Sequence, residues 1–211
     1  MLDISQKNFE EFITASHRVA AYSLVRCSSG NLSWRVDDKH MLISASGTWL
    51  ADIIKDQVAV CRISDGTPLN DKKPSAEIGF HTGILRERSD MNVVLHFQSP
   101  FATALACRSP ETMNCFVIPE IPYYIGPVAV VPYMHPGSED LAEAVISAMK
   151  DHDLVLMCNH GQVTVGKNFN DAIQKAVFFE LACEIILKSG GQTRIISEYP
   201  DDIRKLHESN I

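Results

Sequence analysis

DLVLMCNHGQVTVG, residues 153–166, is the stretch whose reading decides the architecture. DLVLMCNHG and QVTVG read as two strands joined at Asn159-His160-Gly161, and Asn and Gly are residues that turns favour. Two strands joined this tightly run antiparallel. The chain therefore departs from the strand–helix–strand alternation that builds a wholly parallel sheet.

Working outward, FNDAIQKAVFFELACEIILKSGG (169–191) is a long helical pattern ending in a Gly-Gly stop. SEDLAEAVISAMK (138–150) is a helix with a Ser cap and an acidic first turn, and IGPVAVVPY before it contains a strand. Further upstream, VVLHF (93–97) is an apolar strand. PSAEIGFHTGILRER (74–88) opens with Pro and carries Glu at its fourth position, a helix start. QVAVCRI (57–63) is a strand stopped by SDGTP, and LSWRV and MLISA flank the polar turn DDKH as a hairpin. Phe9, Phe12, Ile13, Ser16, Val19 and Ala20 keep helical spacing, so residues 5–25 form an amphipathic helix. These elements predict an α/β fold with a mixed, largely antiparallel sheet flanked by helices, in one domain over 1–211. No dinucleotide, P-loop or nucleophile-elbow motif occurs.

Composition narrows the function. The 211 residues are 45% hydrophobic and 21% charged, with a net charge of −7 and no Lys/Arg cluster, which argues against a nucleic-acid footprint. No apolar run is long enough to span a bilayer, and the polar, acidic N-terminus is no signal peptide. The expectation is a cytoplasmic protein. Its six cysteines, Cys27, Cys61, Cys107, Cys115, Cys158 and Cys183, form no C-x-x-C pair and read as small buried apolar residues.

Chemistry gathers at the strand ends. His96 closes VVLHF, and Gln98, two residues on, shares its face. The pair reads either as half of a metal site or as the hydrogen-bonded edge of a core. His160 ends another apolar strand, and Glu77 lies in the first turns of a helix. Two imidazoles and a carboxylate from three elements could hold a divalent cation with positions open to substrate. Three polar turns, Ser28-Ser29-Gly30-Asn31, Ser44-Ala45-Ser46-Gly47 and Pro74-Ser75-Ala76-Glu77, offer the hydroxyls and N–H groups that phosphate accepts from. Each also reads as an ordinary turn. His81, one helical turn after Glu77, either orients that carboxylate or fills a crevice, and the structural role is favoured. Tyr123 and Tyr124 sit in a Pro-studded loop, while Phe178 and Phe179 read as core. His17, His40, His135, His152 and His207 have no evident partners in sequence.

The motifs S-S-G-N-L-S, L-I-S-A-S-G, P-S-A-E-x3-H, V-L-H-F-Q-S-P, I-P-x3-Y and N-H-G-x4-G occur in that order. In this the chain resembles the class II aldolase/adducin family, and its L-fuculose-1-phosphate aldolase branch most closely. The resemblance implies a three-layer α/β/α domain and, in many members, a C4 homotetramer with active sites between subunits. It also implies Zn2+ held by histidines beside a glutamate, mapping onto His96, His160 and Glu77. Phosphate contacts map onto Ser28, Asn31, Ser46, Gly47 and Ser75, and a catalytic tyrosine from the adjacent subunit maps onto Tyr123. The implied reaction cleaves a ketose 1-phosphate to dihydroxyacetone phosphate and an aldehyde through a metal-stabilised enediolate, with Glu77 moving a proton. Gln98 departs from the pattern, standing where the family has another histidine. Its amide oxygen is a neutral, poorer zinc donor, which moves preference toward Mn2+ or other oxygen-tolerant ions. Ala76 replaces a serine of the phosphate turn. An adducin-like interaction module without catalysis, and an epimerase or decarboxylase on the same scaffold, are the alternatives.

Overall fold

A computed structural model describes residues 4–108 and 114–197. Seven strands form one sheet in the order β3-β2-β1-β4-β7-β6-β5. They are β1 (Asn31–Arg35), β2 (His40–Ser44), β3 (Val58–Arg62), β4 (Val93–Phe97), β5 (Ala129–Val131), β6 (Leu154–Met157) and β7 (Gly161–Gly166). Every pairing is antiparallel except β5 with β6. The expected mixed, largely antiparallel sheet is therefore present.

The alternation of side chains along the strands sends two apolar sets to opposite faces. Leu32, Leu42, Val58, Val60, Val93, Leu95, Phe97, Leu154 and Leu156 pack against α1 (Gln6–Ala21), α3 (Pro100–Ala106) and α5 (Phe169–Lys188). Met41, Ile43, Ala59, Cys61, Val94, Val155, Val163 and Val165 pack against α2 (Ile78–Glu87) and α4 (Glu139–Met149). The result is the three-layer α/β/α arrangement. Each Val, Leu, Ile, Met or Phe among them contributes about 1.5–3 kcal/mol on full burial, so both layers are firmly held. His96 has the parity of Val94 and therefore faces the α2 layer.

Several sequence expectations need correction, the first helix among them, which runs over Gln6–Ala21 and not 5–25. The helix predicted over 74–88 begins at Ile78, because Pro74 is tied to Ala45 in an isolated bridge and Ser75–Glu77 form a turn. Ser99-Pro100 does not simply end a strand but starts α3, with Ser99 as N-cap and Pro100 at the first helical position. Tyr123 and Tyr124 lie in a single π turn, Ile121–Ile125, rather than in open loop. Cys61, Cys115 and Cys183 are buried, but Cys27 and Cys107 are exposed and Cys158 is intermediate. Cys27 occupies a left-handed turn position and Cys107 the C-cap of α3, so both lie outside the packed layers. Phe179 is fully buried and Phe178 only partly so. His207 lies outside the described residues.

Candidate metal centre

The sheet register builds the site. Asn31 is paired with His96 across β1 and β4, which sets both beside the N-terminal end of α2. Glu77 is the N-cap residue of α2, and its side chain turns inward instead of capping. His160 comes from the β6–β7 turn, where Asn159 takes φ +54°, a left-handed conformation that Asn tolerates. Two glycines make room. A Cβ on Gly30, whose φ is +74°, would stand 2.7 Å from the His96 carbonyl oxygen. A Cβ on Gly161 would stand 2.7 Å from the Phe97 carbonyl oxygen and 3.1 Å from His96 Cε1.

Glu77, His96 and His160 offer donor atoms that all lie within 4.8 Å of one another. Glu77 Oε2 is 3.4 Å from His96 Nε2, and Glu77 Oε1 is 3.2 Å from His160 Nε2. The two imidazole rings are 5.0 Å apart and near perpendicular. His96 Nδ1 lies 2.9 Å from the Gln162 carbonyl oxygen, so it carries the hydrogen and donates, leaving Nε2 with a free lone pair. Burial alone would raise the Glu77 carboxyl. The imidazoles of His96 and His160 and the Asn31 N–H outweigh burial and hold the carboxyl well below the usual carboxylate range. Burial pushes His96 down against the pull of Glu77. Glu77 is thus ionised, the state in which a carboxylate ligates, and His96 Nε2 is a donor whenever its ring is neutral.

This set fits a divalent cation. Glu77 Oε1 is buried and makes no hydrogen bond, although His160 Nε2 stands 3.2 Å from it. Orphaned buried polar atoms are rare and call for a partner. Two imidazoles with one carboxylate suit a borderline metal ion with open positions.

The cluster forms one end of a cleft of about 510 Å³. Ser28, Asn31, Ser46, Gly47 and Ser75, drawn from three separate turns, line the same cleft, as do Gln98 and Ala76. Asn31 is less available than the sequence implied, because its side chain spans His81 and Glu77. The Ser75 hydroxyl oxygen accepts from the Glu77 N–H at 3.3 Å and keeps its own hydrogen to donate. Tyr123 is not brought here. Within one chain it lines a different cleft, with Arg88, Lys150 and Lys175 among its walls. Sequence reasoning missed Arg26, Thr48 and Pro136-Gly137 as walls of the cleft. The Pro-Gly pair was a legible turn signal; nothing local marks Arg26 or Thr48.

Comparisons with known proteins bear on this geometry. The chain is 29% identical over 195 residues to 3-oxo-tetronate 4-phosphate decarboxylase of Haemophilus influenzae, covering 91% of each chain. It is 29% identical over 178 residues to L-fuculose phosphate aldolase of Methanocaldococcus jannaschii, covering 84% of this chain and 94% of that one. The crystal structure of YgbL from Escherichia coli superposes with a TM-score of 0.86 at 25% identity, over 96% of this chain and 98% of that one. Residues 10–187 match the family profile described as Class II Aldolase and Adducin N-terminal domain, and with the seven-strand sheet and the Glu77–His96–His160 cluster in place, the chain belongs to the class II aldolase/adducin family.

Proposed function

We propose that this chain is a divalent-cation-dependent lyase acting on a small phosphorylated sugar. The specific reaction is scission of a ketose 1-phosphate of the fuculose type into dihydroxyacetone phosphate and an aldehyde. The supporting observation is the convergence of Glu77, His96 and His160 at one end of a cleft walled by three hydroxyl-bearing turns. When bound, the cation supplies Lewis-acid polarisation of the substrate carbonyl. His96 and His160 would hold it, with Glu77 and the Gln98 amide oxygen as further donors. Zn2+ is the expected ion, with Mn2+ a competitor because of Gln98.

The chain's own groups would do the rest. Ser28, Ser46, Gly47 and Ser75 would donate to the phosphate, helped by the one Asn31 amide hydrogen not already given to Glu77. Remote binding of that kind orients the bond being broken. Glu77 would carry the proton at the carbon freed by C–C scission. Tyr123, from the adjacent subunit of a C4 homotetramer, would exchange a proton with the oxygen of the departing aldehyde. A reducing cytoplasm suits the six free cysteines. Among the described residues no helix is long and apolar enough to cross a membrane.

A second reading, decarboxylation of a phosphorylated 3-oxo acid, is favoured by the Haemophilus influenzae relative, which aligns over 91% of both chains. Both reactions leave an electron pair on a carbon next to a carbonyl, so the same site chemistry serves either. The test is turnover by metal-reconstituted protein on a panel of ketose 1-phosphates and on 3-oxo-tetronate 4-phosphate. Aldehyde release identifies the aldolase and CO2 release the decarboxylase. No turnover with any metal, together with no stoichiometric metal in protein purified without chelator, would leave the adducin-like interaction module.

A further inference from the structure

Beneath Glu77 lies a second layer of polar groups that the proposed chemistry does not use. Ser33 on β1 and His81 on α2 are both fully buried. Ser33 Oγ is 2.7 Å from His81 Nδ1, and His81 Nε2 is 2.5 Å from Asn31 Oδ1. Asn31 Nδ2 then donates to Glu77 Oε2 at 2.9 Å. The Phe80 ring stacks on His81 at 4.8 Å and covers one of its faces.

The hydrogens in this chain of contacts can be arranged in one way. Asn31 donates to Glu77 through its nitrogen, so its oxygen faces His81 and can only accept. His81 Nε2 must therefore carry the hydrogen. A neutral ring protonated at Nε2 has a bare Nδ1, which accepts from the Ser33 hydroxyl. Donation thus runs from Ser33 to His81 to Asn31 to Glu77 and ends on Oε2. The other carboxylate oxygen, Oε1, has no hydrogen bond and lies on the His160 side. The network makes the two oxygens inequivalent. A side chain that merely filled this space would be better apolar, since burying an imidazole costs free energy unless both nitrogens are satisfied.

We infer that His81, set by Ser33, is a positioning residue that acts through Asn31 to pin Glu77 Oε2 and present Oε1 to the cation and substrate. The inference rests on the lyase reading above, and it gives the histidine of P-S-A-E-x3-H a role beyond packing. Without the Ser33 hydroxyl, the bare Nδ1 of His81 is left buried and unpaired. The ring then loses the contact that holds it in line with Asn31 Oδ1, and the grip of Asn31 on Glu77 Oε2 loosens.

Ser33→Ala removes one buried oxygen and leaves little cavity, so the variant should fold. Its expected behaviour is a kcat about 10-fold to 100-fold lower, the range typical of groups that orient a ligand, with KM nearly unchanged. Co2+ should still bind stoichiometrically, with an altered visible spectrum and a melting temperature close to the parent's. Ser33→Thr, which keeps the hydroxyl, should recover both kcat and spectrum. His81→Gln, which retains a donor and an acceptor, should fall between Ser33→Ala and the parent. A parental kcat and Co2+ spectrum in Ser33→Ala would overturn the inference. So would a loss that follows the melting temperature and is not rescued by Thr. If the parent chain turns over no substrate, the lyase reading fails, and the Co2+ spectra of the same variants decide the positioning role.

Discussion

Two clusters of ionisable groups in this molecule both bring opposite charge-bearing groups together beneath the surface, and they differ in completeness. In the first, Lys175 Nζ lies 3.1 Å from Asp153 Oδ2, 3.1 Å from the Val165 carbonyl oxygen and 3.3 Å from Asp171 Oδ2. Arg88 donates to Asp90, to Asp153 and to the Met149 carbonyl in the same region. All three Lys175 hydrogens are accounted for, and the cluster ties α5 to β7 and to the segment before β6. In the second, Glu77, His96 and His160 crowd together with two polar atoms left over. A saturated cluster is a staple. Both clusters line clefts, so saturation is what separates them: leaving buried polar atoms unpaired costs free energy that a ligand can recover.

The contrast can be broken or sharpened by substitution, with the largest effects expected where each cluster is most dependent on one group. Glu77→Ala should keep the fold and lower kcat by about 10² to 10⁴, the usual worth of a general acid–base group. An unchanged rate in a metal-loaded assay would remove Glu77 from the chemistry. Lys175→Met should do the reverse. Asp153 keeps Arg88 and Asp171 keeps the Lys167 N–H, so losing the ammonium should cost about 1–3 kcal/mol in denaturant unfolding, with Zn2+ affinity measured by competition titration left at the parent value.

The next effect is set by His81. Burial holds this imidazole down to about 3, against the upward pull of Glu77 and with a further push down from His96. The unfolded chain protonates near the ordinary histidine value, whereas the folded chain resists until far lower. His81 therefore stabilises nothing extra above about pH 6.5, and stability falls by about 1.4 kcal/mol per pH unit as pH drops below it. Urea unfolding of the parent and of His81→Gln between about pH 6 and 5 should show stabilities that fall with slopes differing by about that amount. Equal slopes would mean that His81 titrates normally. The smallest change is expected from Gln98→His, which restores an imidazole beside His96. Zn2+ affinity should rise about tenfold, or about 1.4 kcal/mol, relative to Mn2+. No gain would show that residue 98 does not reach the cation.

The site was only partly legible along the chain. His96 and Gln98 share a face because strands alternate, and both do line the cleft. The three turns announced themselves through Ser, Gly and Asn. The double duty of Asn31 did not, since it depends on the β1–β4 register and on a helix that begins 47 residues later. Helix α3 was missed for a similar reason. Seven residues are too few to hold a helix alone, and its start is secured from α5, where Glu180 accepts from Ser99 Oγ and from the N–H groups of Phe101 and Ala102.

By itself the sequence determined the strands, the principal helices, the two-sided burial of the sheet and the turns around the cleft. Those follow from periodicity, capping and steric preference, which act within a few residues. The tertiary structure alone decided that Glu77 meets His96 and His160, that one carboxylate oxygen is pinned while the other stays bare, and that Tyr123 lies in a different cleft of the same chain. Such juxtapositions depend on strand register and layer packing, and those are settled by the summed burial of residues far apart along the chain.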